Sequence, residues 1–469
     1  EDPRMREVVE AYTAGVNAWI EQLDPAEYPV EYKIFNYRPE PWTPLKCALL
    51  LKYMAWRLSG YNEELPRSRA RAVLGDSVAD QLYFRETPLA QPIIPPGTPW
   101  NFQPLASPTP PSSFFTPIPL AELEPVPPDA AVGGSNNWAV SGAKTASGYP
   151  ILCNDPHLSF SLPSVWYEIQ LASPNVNVYG VSLPGAPAVI IGFNENIAWG
   201  VTNTETDVLD WYRIRFRDDR CREYYYDGKW QPTTFRVETI RVRGQEAVID
   251  SIPFTHHGPV VYRATEKPFD ENIPVGMALR WTGHDPSREL KSFVLLNRAK
   301  NYPDFVEAIS YFDCPGQNFA FADREGDIAI HHNGKFPLRW EKQGRYISDG
   351  ADPAYDWAGW IPREQVPQVK NPPQGFVQSA NQKPVDKTYP YYLGGHYAGF
   401  ERGRRIHERL AEMERITPED MMELQRDILN VHARTVLPTL LRILAQADLS
   451  LAEVRDYEIL RHWDYRQRR

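Results

Sequence analysis

The chain has 469 residues, a length that predicts two or three packed units rather than one small domain. Its formal net charge of −10 argues against a general nucleic-acid binder, which would carry a basic stripe. Charged residues make up 23% and hydrophobic residues 42%, so most of the chain can bury a core. No apolar run approaches the roughly 20 residues that a membrane-spanning helix needs.

Four cysteines are scattered along the chain without a Cys-x-x-Cys pair: Cys47, Cys153, Cys221 and Cys314. This spacing excludes a zinc ribbon or a dithiol redox motif and leaves zero, one or two disulfides open. The sequence starts Glu1-Asp2-Pro3, without an initiator Met or a signal peptide. We therefore expect a processed or truncated part of a longer protein.

The first 85 residues have helical periodicity. Apolar residues between positions 4 and 23 recur at spacings of three and four, which is one apolar stripe of a helix. A second helix is expected over Pro44–Ser59, with Thr43 as N-cap, and a third over about Pro66–Tyr83. Residues 1–85 are therefore predicted to form a helical unit.

The following segment is rich in proline, with 14 prolines in the 41 residues from Pro88 to Pro128. Proline lacks a backbone donor and fixes φ, so neither a helix nor a central strand can persist there. The composition predicts an extended, protease-accessible linker that ends at Gly133-Gly134-Ser135.

Short strands follow Ser135, and Asp227-Gly228 and Glu325-Gly326 stand between apolar runs as hairpin turns would. The absence of a βαβ rhythm argues against a doubly wound parallel sheet. Helical periodicity returns at Glu289–Ala299 and Tyr302–Tyr311, and dominates from about Gly403. The order of helices, linker, strands and helices predicts an α+β fold. The expected strands are Asn136–Ser141, Val165–Ala172, Val176–Val181, Val189–Gly192, Trp211–Arg217, Thr234–Val242, Val248–Ile252 and Gly276–Thr282.

The linker ends in a serine whose release from Gly134 would create a new N-terminus. A free α-amine has a pKa of about 7.7–8.0, so it could serve as a base for the hydroxyl of its own residue. Gly134 suits such a cut because it has no Cβ. Gly-Ser is also a common loop dipeptide, so this spacing alone leaves a flexible linker end open.

Longer motifs decide between a flexible linker end and a catalytic N-terminal serine. These motifs are Gly134-Ser135-Asn136-Asn137-Trp138, Asn154-Asp155-Pro156-His157-Leu158, Gly192-Phe193-Asn194-Glu195-Asn196, Thr255-His256-His257-Gly258-Pro259, Asn318-Phe319-Ala320-Phe321, Ser379-Ala380-Asn381-Gln382-Lys383-Pro384 and Arg402 to Ile406. With them, the sequence closely resembles the penicillin acylase family of N-terminal nucleophile hydrolases, which includes cephalosporin and acyl-homoserine lactone acylases, over nearly its whole length.

The resemblance implies an N-terminal nucleophile αββα sandwich with a helical α-subunit segment. It also implies autocatalytic removal of the proline-rich spacer, residues 86–134. The α-subunit part would be residues 1–85. The β-subunit part would be residues 135–469, with the nucleophile core and a C-terminal helical region, truncated relative to the family. The two fragments would then stay together as a heterodimer.

The resemblance also assigns roles to five residues. Ser135 would be the nucleophile with its own α-amine as base, and His157 would help to position them. The backbone N–H of Asn203 and the side-chain amide of Asn381 would stabilise the oxyanion, and Arg402 would orient Asn381. A structural histidine, a turn asparagine and a solvated charged helix face remain the alternatives for His157, Asn381 and Arg402.

Arg405 is the alternative to Arg402 because both precede Ile406 in the same motif. The resemblance places Arg57-Leu58 at the acyl pocket, and Trp166, Tyr167 and Val189 could contribute to the pocket or to the core. Adjacent residues on a strand point to opposite faces, so the pairs His256-His257 and His331-His332 are not expected to chelate one ion.

A structural Ca²⁺, one per heterodimer, is implied by the same resemblance. Its ligands would be Glu64, Asp207, the backbone carbonyl of Leu209, and Asp210. Ca²⁺ takes about six to eight oxygen ligands, a preference that these groups suit. Ordinary surface acids are the alternative, because Asp and Glu are mostly exposed.

The expected activity is hydrolysis of an amide that joins an acyl group to a small amine, such as a β-lactam or an acyl-homoserine lactone. No organic cofactor, nucleic-acid partner or membrane span is expected. A non-catalytic or maturation-incompetent homologue that acts as a β-rich binding protein is the alternative. Relatives are commonly exported, so a periplasmic or extracellular location is expected.

Overall fold

A computed structural model describes residues 2–60, 63–84, 87–111, 134–266 and 275–468. Helices form over most of the stretch with predicted helical periodicity, but the third predicted helix is two helices, because Gly75 adopts a φ of +78° between them. That conformation suits glycine and ends a helix. The helices of this unit are α1 (Pro3–Gln22), α2 (Val30–Phe35), α3 (Pro44–Ser59), α4 (Glu64–Leu74) and α5 (Asp76–Tyr83), with a 3₁₀ turn at Pro25–Glu27.

Strands dominate after Ser135, as predicted. The strands are β1 (Ser135–Val140), β2 (Ile151–Pro156), β3 (Tyr167–Ser173), β4 (Val176–Ser182), β5 (Ile191–Asn194), β6 (Ile197–Asn203), β7 (Leu209–Arg213), β8 (Glu223–Tyr226), β9 (Lys229–Pro232), β10 (Thr234–Ile240), β11 (Val248–Thr255), β12 (Gly258–Pro259), β13 (Met277–Trp281), β14 (Gln317–Asp323), β15 (Ile328–Asn333), β16 (Ser348–Asp349), β17 (Gln368–Lys370) and β18 (Phe376–Ser379).

The remaining helices lie between β13 and β14 and after β18. The α-helices are α6 (Glu289–Leu296), α7 (Tyr302–Ile309), α8 (Phe400–Glu412), α9 (Pro418–Gln425), α10 (Val431–Leu444) and α11 (Leu451–Arg461), and 3₁₀ turns occur at Thr282–His284, Pro353–Tyr355 and Arg363–Gln365.

Two antiparallel sheets pack face to face in the centre. The smaller has the order β18-β1-β2, and the larger has the order β17-β15-β14-β6-β5-β4-β3. The small sheet contacts β6, β14 and β15 of the large one. Because side chains alternate between the two faces of a strand, each sheet has a second face for helices.

Helices cover both outer faces. On the small sheet, Trp138 and Phe376 pack with Ile406 and Leu410 of α8. On the large sheet, Phe321 of β14 packs with helices α6 and α7 in one cluster. Full burial of a side chain such as Phe contributes about 1.5–3 kcal/mol, so these layers are a main source of stability. The layer order is helix, sheet, sheet, helix, the αββα sandwich of the predicted α+β class.

The predicted hairpin turn at Asp227-Gly228 joins β8 and β9. Both residues have positive φ values, 48° and 74°, as a two-residue turn of type I′ requires.

The described part of the predicted spacer, residues 87–111, has neither helix nor strand but is not accessible throughout. Ile93 and Ile94 are 2% and 1% exposed and belong to the main core. Their amides donate to the carbonyls of Lys383 and Pro384 at 3.1 and 2.9 Å. Two adjacent isoleucines can be buried without helix or strand, and the prediction of an accessible linker is therefore wrong for this stretch. Residues 112–133 lie outside the described residues.

The predictions for cysteines and histidine pairs have different outcomes. None of the four cysteines is in a disulfide.

His331 and His332 on β15 bond to different partners, Tyr302 and Asn318, as opposite faces of a strand require. His256 and His257 instead lie in the turn after β11, with ring centroids 3.8 Å apart, so the strand alternation on which their prediction rested does not apply to them. Within the described residues, every helix is too short or too polar to span a bilayer.

Candidate active site

The register of the small sheet brings the candidate residues together. β1 lies between β18 and β2, with Asn137 opposite Ser379 and Ser135 opposite Pro156. In antiparallel pairing, the partner number falls as the residue number rises. The same registers, continued past the strand ends, place residue 381 beside Ser135 and residue 157 beside Gly134. Residues far apart in sequence therefore meet at the start of β1.

Ser135 is buried and directed at the peptide bond that precedes it. Its hydroxyl donates to the carbonyl oxygen of Gly134 at 2.8 Å. The same carbonyl accepts the backbone N–H of His157 at 2.7 Å. A hydrogen bond to a carbonyl oxygen stabilises negative charge that develops there. The Gly134 carbonyl is thus polarised and lies next to the Ser135 hydroxyl.

The Asn381 side chain connects three elements at this point. Its Oδ1 accepts the Ser135 backbone N–H at 2.6 Å and Nη2 of Arg402 at 3.0 Å. Its Nδ2 donates to the Asn203 carbonyl at 2.8 Å and has a second hydrogen left for another acceptor. Asn381 has a φ of +64°, a conformation that asparagine tolerates better than most residues. The backbone conformation of the turn at position 381 therefore suits asparagine.

Arg402, near the start of α8, is the arginine that reaches the nucleophile. Besides Asn381, its guanidinium donates to the Ser135 carbonyl at 2.9 Å and to Asn136 Oδ1 at 2.7 Å. Burial lowers its pKa, which nearby carboxylates, with Glu205 first among them, partly oppose. Arg405 instead pairs with Asp427 at 2.6 Å. The geometry thus favours Arg402 over Arg405.

Close packing explains the glycine before the nucleophile. A Cβ on Gly134 would lie 2.4 Å from Nη2 of Arg402 and 3.0 Å from Oδ1 of Asn381. Such distances are far below van der Waals contact. Because both neighbours are held by hydrogen bonds, a larger residue would displace the arginine and the amide from Ser135.

Asn203 ends β6 and lies beside Asn381. Its carbonyl accepts from Asn381 and from Nδ2 of Asn318 at 3.2 Å. Its side chain donates to the Leu58 carbonyl of α3 at 2.7 Å, which ties the helical unit to the active-site strand. The role of its backbone N–H as an oxyanion donor stays a prediction.

His157 contacts the site through its backbone, and its ring points to other partners. Nε2 lies 2.9 Å from Asp155 Oδ2 and 3.4 Å from Asn136 Nδ2. The hydrogen bond with His157 lowers the pKa of Asp155 against the opposing effect of burial. Asp155 Oδ2 also accepts from Asn136 Nδ2 at 3.4 Å, and Asn136 binds Arg402, so the ring is connected to Ser135 through Asp155, Asn136 and Arg402.

A buried polar layer between the sheets was missed from the sequence. Nδ2 of Asn318 donates to the hydroxyls of Thr202 and Ser379, each at 3.1 Å, and Asn137 Nδ2 donates to the Asn318 carbonyl at 2.9 Å. In the sequence, the only sign of a role for Asn136 and Asn137 was that they directly follow Ser135 in the motif Gly134-Ser135-Asn136-Asn137-Trp138. The layer fixes the ends of β1, β6, β14 and β18 relative to one another.

A largely apolar cleft opens at Ser135. Ser135, Asn203 and Glu289 line it, together with the apolar side chains of Leu51, Met54, Leu58, Trp166, Ile190 and Phe293. Leu58 and Trp166 are thus at the pocket as expected. Tyr167 is 63% exposed on β3, and Val189 is fully buried in the core.

An acidic cluster lies where β7 begins, beside the first residue of α4. Glu64, Asp207 and Asp210 bring one carboxylate oxygen each within 4.8 Å of the others. The buried Arg339, which the sequence analysis missed, donates to Asp207 Oδ2 at 2.9 Å, to Asp210 Oδ2 at 2.8 Å and to the Leu209 carbonyl at 3.3 Å. Three carboxylates therefore face the guanidinium of Arg339, and the charge of the buried Arg67 also acts on Glu64 and Asp207.

Two oxygens of this cluster fit an additional cation. Glu64 Oε1 and Asp210 Oδ1 are buried and have no hydrogen-bond partner. Burial, and then the charges of Asp210 and Asp207, raise the pKa of Glu64 well above its usual value. All of these donors are oxygens, the ligand type that Ca²⁺ prefers.

Comparison with known proteins gives the class of protein. A profile of the penicillin amidase family matches residues 1–469, and the chain belongs to that family.

Individual relatives agree with this assignment. The acyl-homoserine lactone acylase QuiP of Pseudomonas aeruginosa is 30% identical, over 91% of this chain and 50% of the relative. The penicillin acylase 2 proenzyme of Pseudomonas sp. strain SE83 is 29% identical, over 98% of this chain and 58% of the relative. The thermostable penicillin G acylase from Alcaligenes faecalis superposes with a TM-score of 0.59 and 25% identity, over 71% of this chain and 59% of that one. The chain thus spans about half the length of the curated relatives it matches.

Proposed function

We propose that the protein is a self-processing amide hydrolase whose nucleophile is Ser135. The observation that carries the proposal is the position of the Ser135 hydroxyl, 2.8 Å from a carbonyl oxygen that already accepts the His157 N–H. Membership of the penicillin amidase family supports it, as does the word proenzyme in the name of one relative.

Maturation would begin with attack of Ser135 Oγ on the Gly134 carbonyl carbon. A C–O bond forms, the Gly134–Ser135 C–N bond breaks, and the amine of Ser135 takes the proton. Water then hydrolyses the ester, which frees the Gly134 carboxylate and leaves Ser135 with both a hydroxyl and a primary amine. The His157 N–H would stabilise the oxyanion of this step.

Turnover would use the same residue. The α-amine accepts the proton of Oγ during attack on the substrate amide and passes it to the leaving nitrogen, and water then hydrolyses the acyl-enzyme. Asn381 Nδ2 and the Asn203 backbone N–H would hold the oxyanion. Arg402 acts as a positioning residue, because it fixes Oδ1 of Asn381 and the Ser135 carbonyl.

The cleft supports an apolar acyl group as the preferred substrate. Its walls are mainly aliphatic and aromatic side chains, and its one described carboxylate is Glu289. That carboxylate already accepts the Ser287 hydroxyl at 2.6 Å and the Cys314 N–H at 3.2 Å. An acyl chain that ends in a carboxylate would be repelled there. The names of the relatives suggest acyl-homoserine lactones and penicillins as the amides to test.

In the full-length protein, we expect kcat/KM for N-acyl-homoserine lactones to rise with chain length. Each methylene buried in the cleft contributes about 0.8 kcal/mol, or about fourfold, until the cleft is full. A glutaryl amide of the same amine should react at least about tenfold more slowly than its uncharged counterpart, because a charge must be desolvated beside Glu289. Release of primary amine measures both effects.

The variant Glu289→Gln keeps the shape of the cleft and removes its charge. It should reduce the penalty on the glutaryl amide and leave the dependence on chain length unchanged. Equal rates along the acyl series, or an unchanged glutaryl penalty in the variant, would contradict the assignment of this cleft to the acyl group.

We also propose a structural Ca²⁺ held by Glu64, Asp207, Asp210 and the Leu209 carbonyl. A ligand that binds only the folded state at 100 times its Kd adds about 2.7 kcal/mol to the free energy of unfolding. Chelation should therefore lower the Tm of the wild type, and added Ca²⁺ should restore it. Differential scanning calorimetry with and without chelator measures the difference.

The variant Asp210→Asn removes one charge from the cluster, and Glu246→Gln on the exposed surface is the control. Only the first should lose the response of Tm to Ca²⁺, whatever its own stability. A wild type whose Tm does not respond to Ca²⁺ would contradict the proposal and would leave Arg339 and Arg67 as the cations that balance the cluster.

The packing of residues 87–111 shortens the segment that we expect to be excised as the spacer. Because Ile93 and Ile94 are part of the core, we propose that this stretch remains with the helical fragment and that the excised piece lies within residues 112–134. The two fragments would stay associated through contacts such as the bond from Asn203 to Leu58. Export to the periplasm or outside the cell remains part of the proposal.

A further inference from the structure

A second cluster of possible ligands lies outside the cleft. His256 and His257 occupy the turn between β11 and β12, and Asp356 follows the 3₁₀ turn Pro353–Tyr355. His256 Nε2 and His257 Nδ1 lie 3.7 and 3.6 Å from the same atom, Asp356 Oδ1, and the three ligand atoms are all within 4.8 Å of one another. The ligand atoms of a tetrahedral zinc site are about 3.3 Å apart, so small shifts would close the triangle.

The outer contacts fix which ring nitrogens face Asp356. His257 Nε2 lies 3.3 Å from the Gly350 carbonyl, which can only accept, so Nε2 carries the proton. His256 Nδ1 lies 3.1 Å from the Tyr224 hydroxyl, and the Tyr226 hydroxyl donates to Asp356 Oδ2 at 2.5 Å. Metal-binding histidines and carboxylates commonly have such partners on their second polar atom.

The inner atoms of the cluster converge on one carboxylate oxygen, Asp356 Oδ1. Because Nε2 of His257 carries the proton that faces the Gly350 carbonyl, Nδ1 of the neutral ring presents a lone pair to this oxygen. Asp356 Oδ1, which this lone pair faces, is buried and has no hydrogen-bond partner. The nearby Arg280 pairs with Asp285 at 3.1 Å. A lone pair and an unpartnered carboxylate oxygen thus converge on one point.

We propose that His256, His257 and Asp356 form a binding site for a divalent transition-metal ion of the zinc type. Two imidazoles and one carboxylate suit Zn²⁺ better than the hard cations, in contrast to the all-oxygen cluster at Glu64. The side chains of His256 and Asp356 are 34% and 32% exposed, which gives the ion a path from solvent and leaves room for water as a further ligand. The ion would tie the β11–β12 turn to the loop at Asp356.

The test uses the full-length protein, treated with chelator and then saturated with Ca²⁺ to fill the oxygen cluster. Titration with Zn²⁺ by calorimetry should give one site per chain, and Co²⁺ should give the visible absorption of tetrahedral coordination. His256→Gln and Asp356→Asn should each weaken Zn²⁺ binding at least about 100-fold. Tyr226→Phe keeps all three ligands and should weaken it about 10–100-fold.

The matched control is His462→Gln, because His462 is an exposed histidine beside a single carboxylate, Glu458. Its Zn²⁺ affinity should equal that of the wild type. Circular dichroism shows whether each variant is folded, and Tyr226→Phe tests the site even if a ligand variant is not. The proposal is overturned if the wild type binds no Zn²⁺ beyond the Ca²⁺ cluster, or if folded Asp356→Asn and Tyr226→Phe bind it as tightly as the wild type.

Discussion

Replacing Ser135 with alanine is expected to leave the chain uncut and to abolish amide hydrolysis. The variant loses the Oγ that lies 2.8 Å from the Gly134 carbonyl oxygen, and nothing else at the site can form the ester. Loss of a catalytic nucleophile costs about 10⁶-fold in kcat. Denaturing electrophoresis and intact mass report the cut, and release of amine reports turnover.

Two further variants make this result specific. Ser147→Ala, in an exposed turn after β1, should be cut and active like the wild type. Ser135→Cys keeps a nucleophile at the same position and should retain some cleavage. Splitting at the same bond in Ser135→Ala would assign the cut to another protease and would contradict self-processing.

Replacing Asn381 with alanine is expected to lower kcat about 10²–10³-fold with little change in KM. The amide Nδ2 would stabilise charge that develops only in the transition state, and loss of one such donor has this cost. The fall should be measured on the fraction of protein that has been cut, because Asn381 also holds the Ser135 backbone N–H and its loss could slow maturation.

Asn371→Ala is the control for the cost of placing alanine at a positive φ, as Asn381→Ala does. Asn371 also has a positive φ, 48°, and uses its side chain to bond Asp327 and the Ile328 N–H, outside the site. Any cost of alanine in this conformation appears in both variants. A kcat in cut Asn381→Ala within threefold of the wild type would remove Asn381 from the oxyanion site.

Local patterns in the sequence predicted most of the elements, because they depend on near neighbours. The apolar periodicity before residue 24 gave α1, and Asp227-Gly228 gave the β8–β9 hairpin. The boundary at Gly75 was missed because the helical spacing of apolar residues continues through it. The buried stretch at Ile93-Ile94 was missed because its partners, Lys383 and Pro384, are almost 300 residues away.

The candidate site depends on such distant contacts, and spacing alone gave only a possible N-terminal serine. The resemblance to a known family supplied His157, Asn203, Asn381 and Arg402. The register of β1 with its neighbours brings His157 and Asn381 to the start of β1, and the Asn381 side chain bonds Asn203 and Arg402. Arg339 had no signal in the sequence, because a single arginine in a loop has no periodicity that shows it is buried among acids.

The histidine pair shows the limit of reasoning from strand geometry. Alternation of side chains holds for His331 and His332, which lie on β15. It fails for His256 and His257 because β11 ends at Thr255 and the chain turns there, so that both rings reach the same side. A shift of one or two residues in the boundary of a strand therefore decides whether two adjacent histidines can bind the same ion.

N-terminal sequencing of the purified full-length protein tests the central claim most directly. The account predicts two chains from the wild type, one of which starts Ser-Asn-Asn-Trp-Ala-Val and carries a free α-amine on Ser135. A wild-type protein that hydrolyses amides while Ser135 is still joined to Gly134 would contradict the account, because the proposed base would not exist.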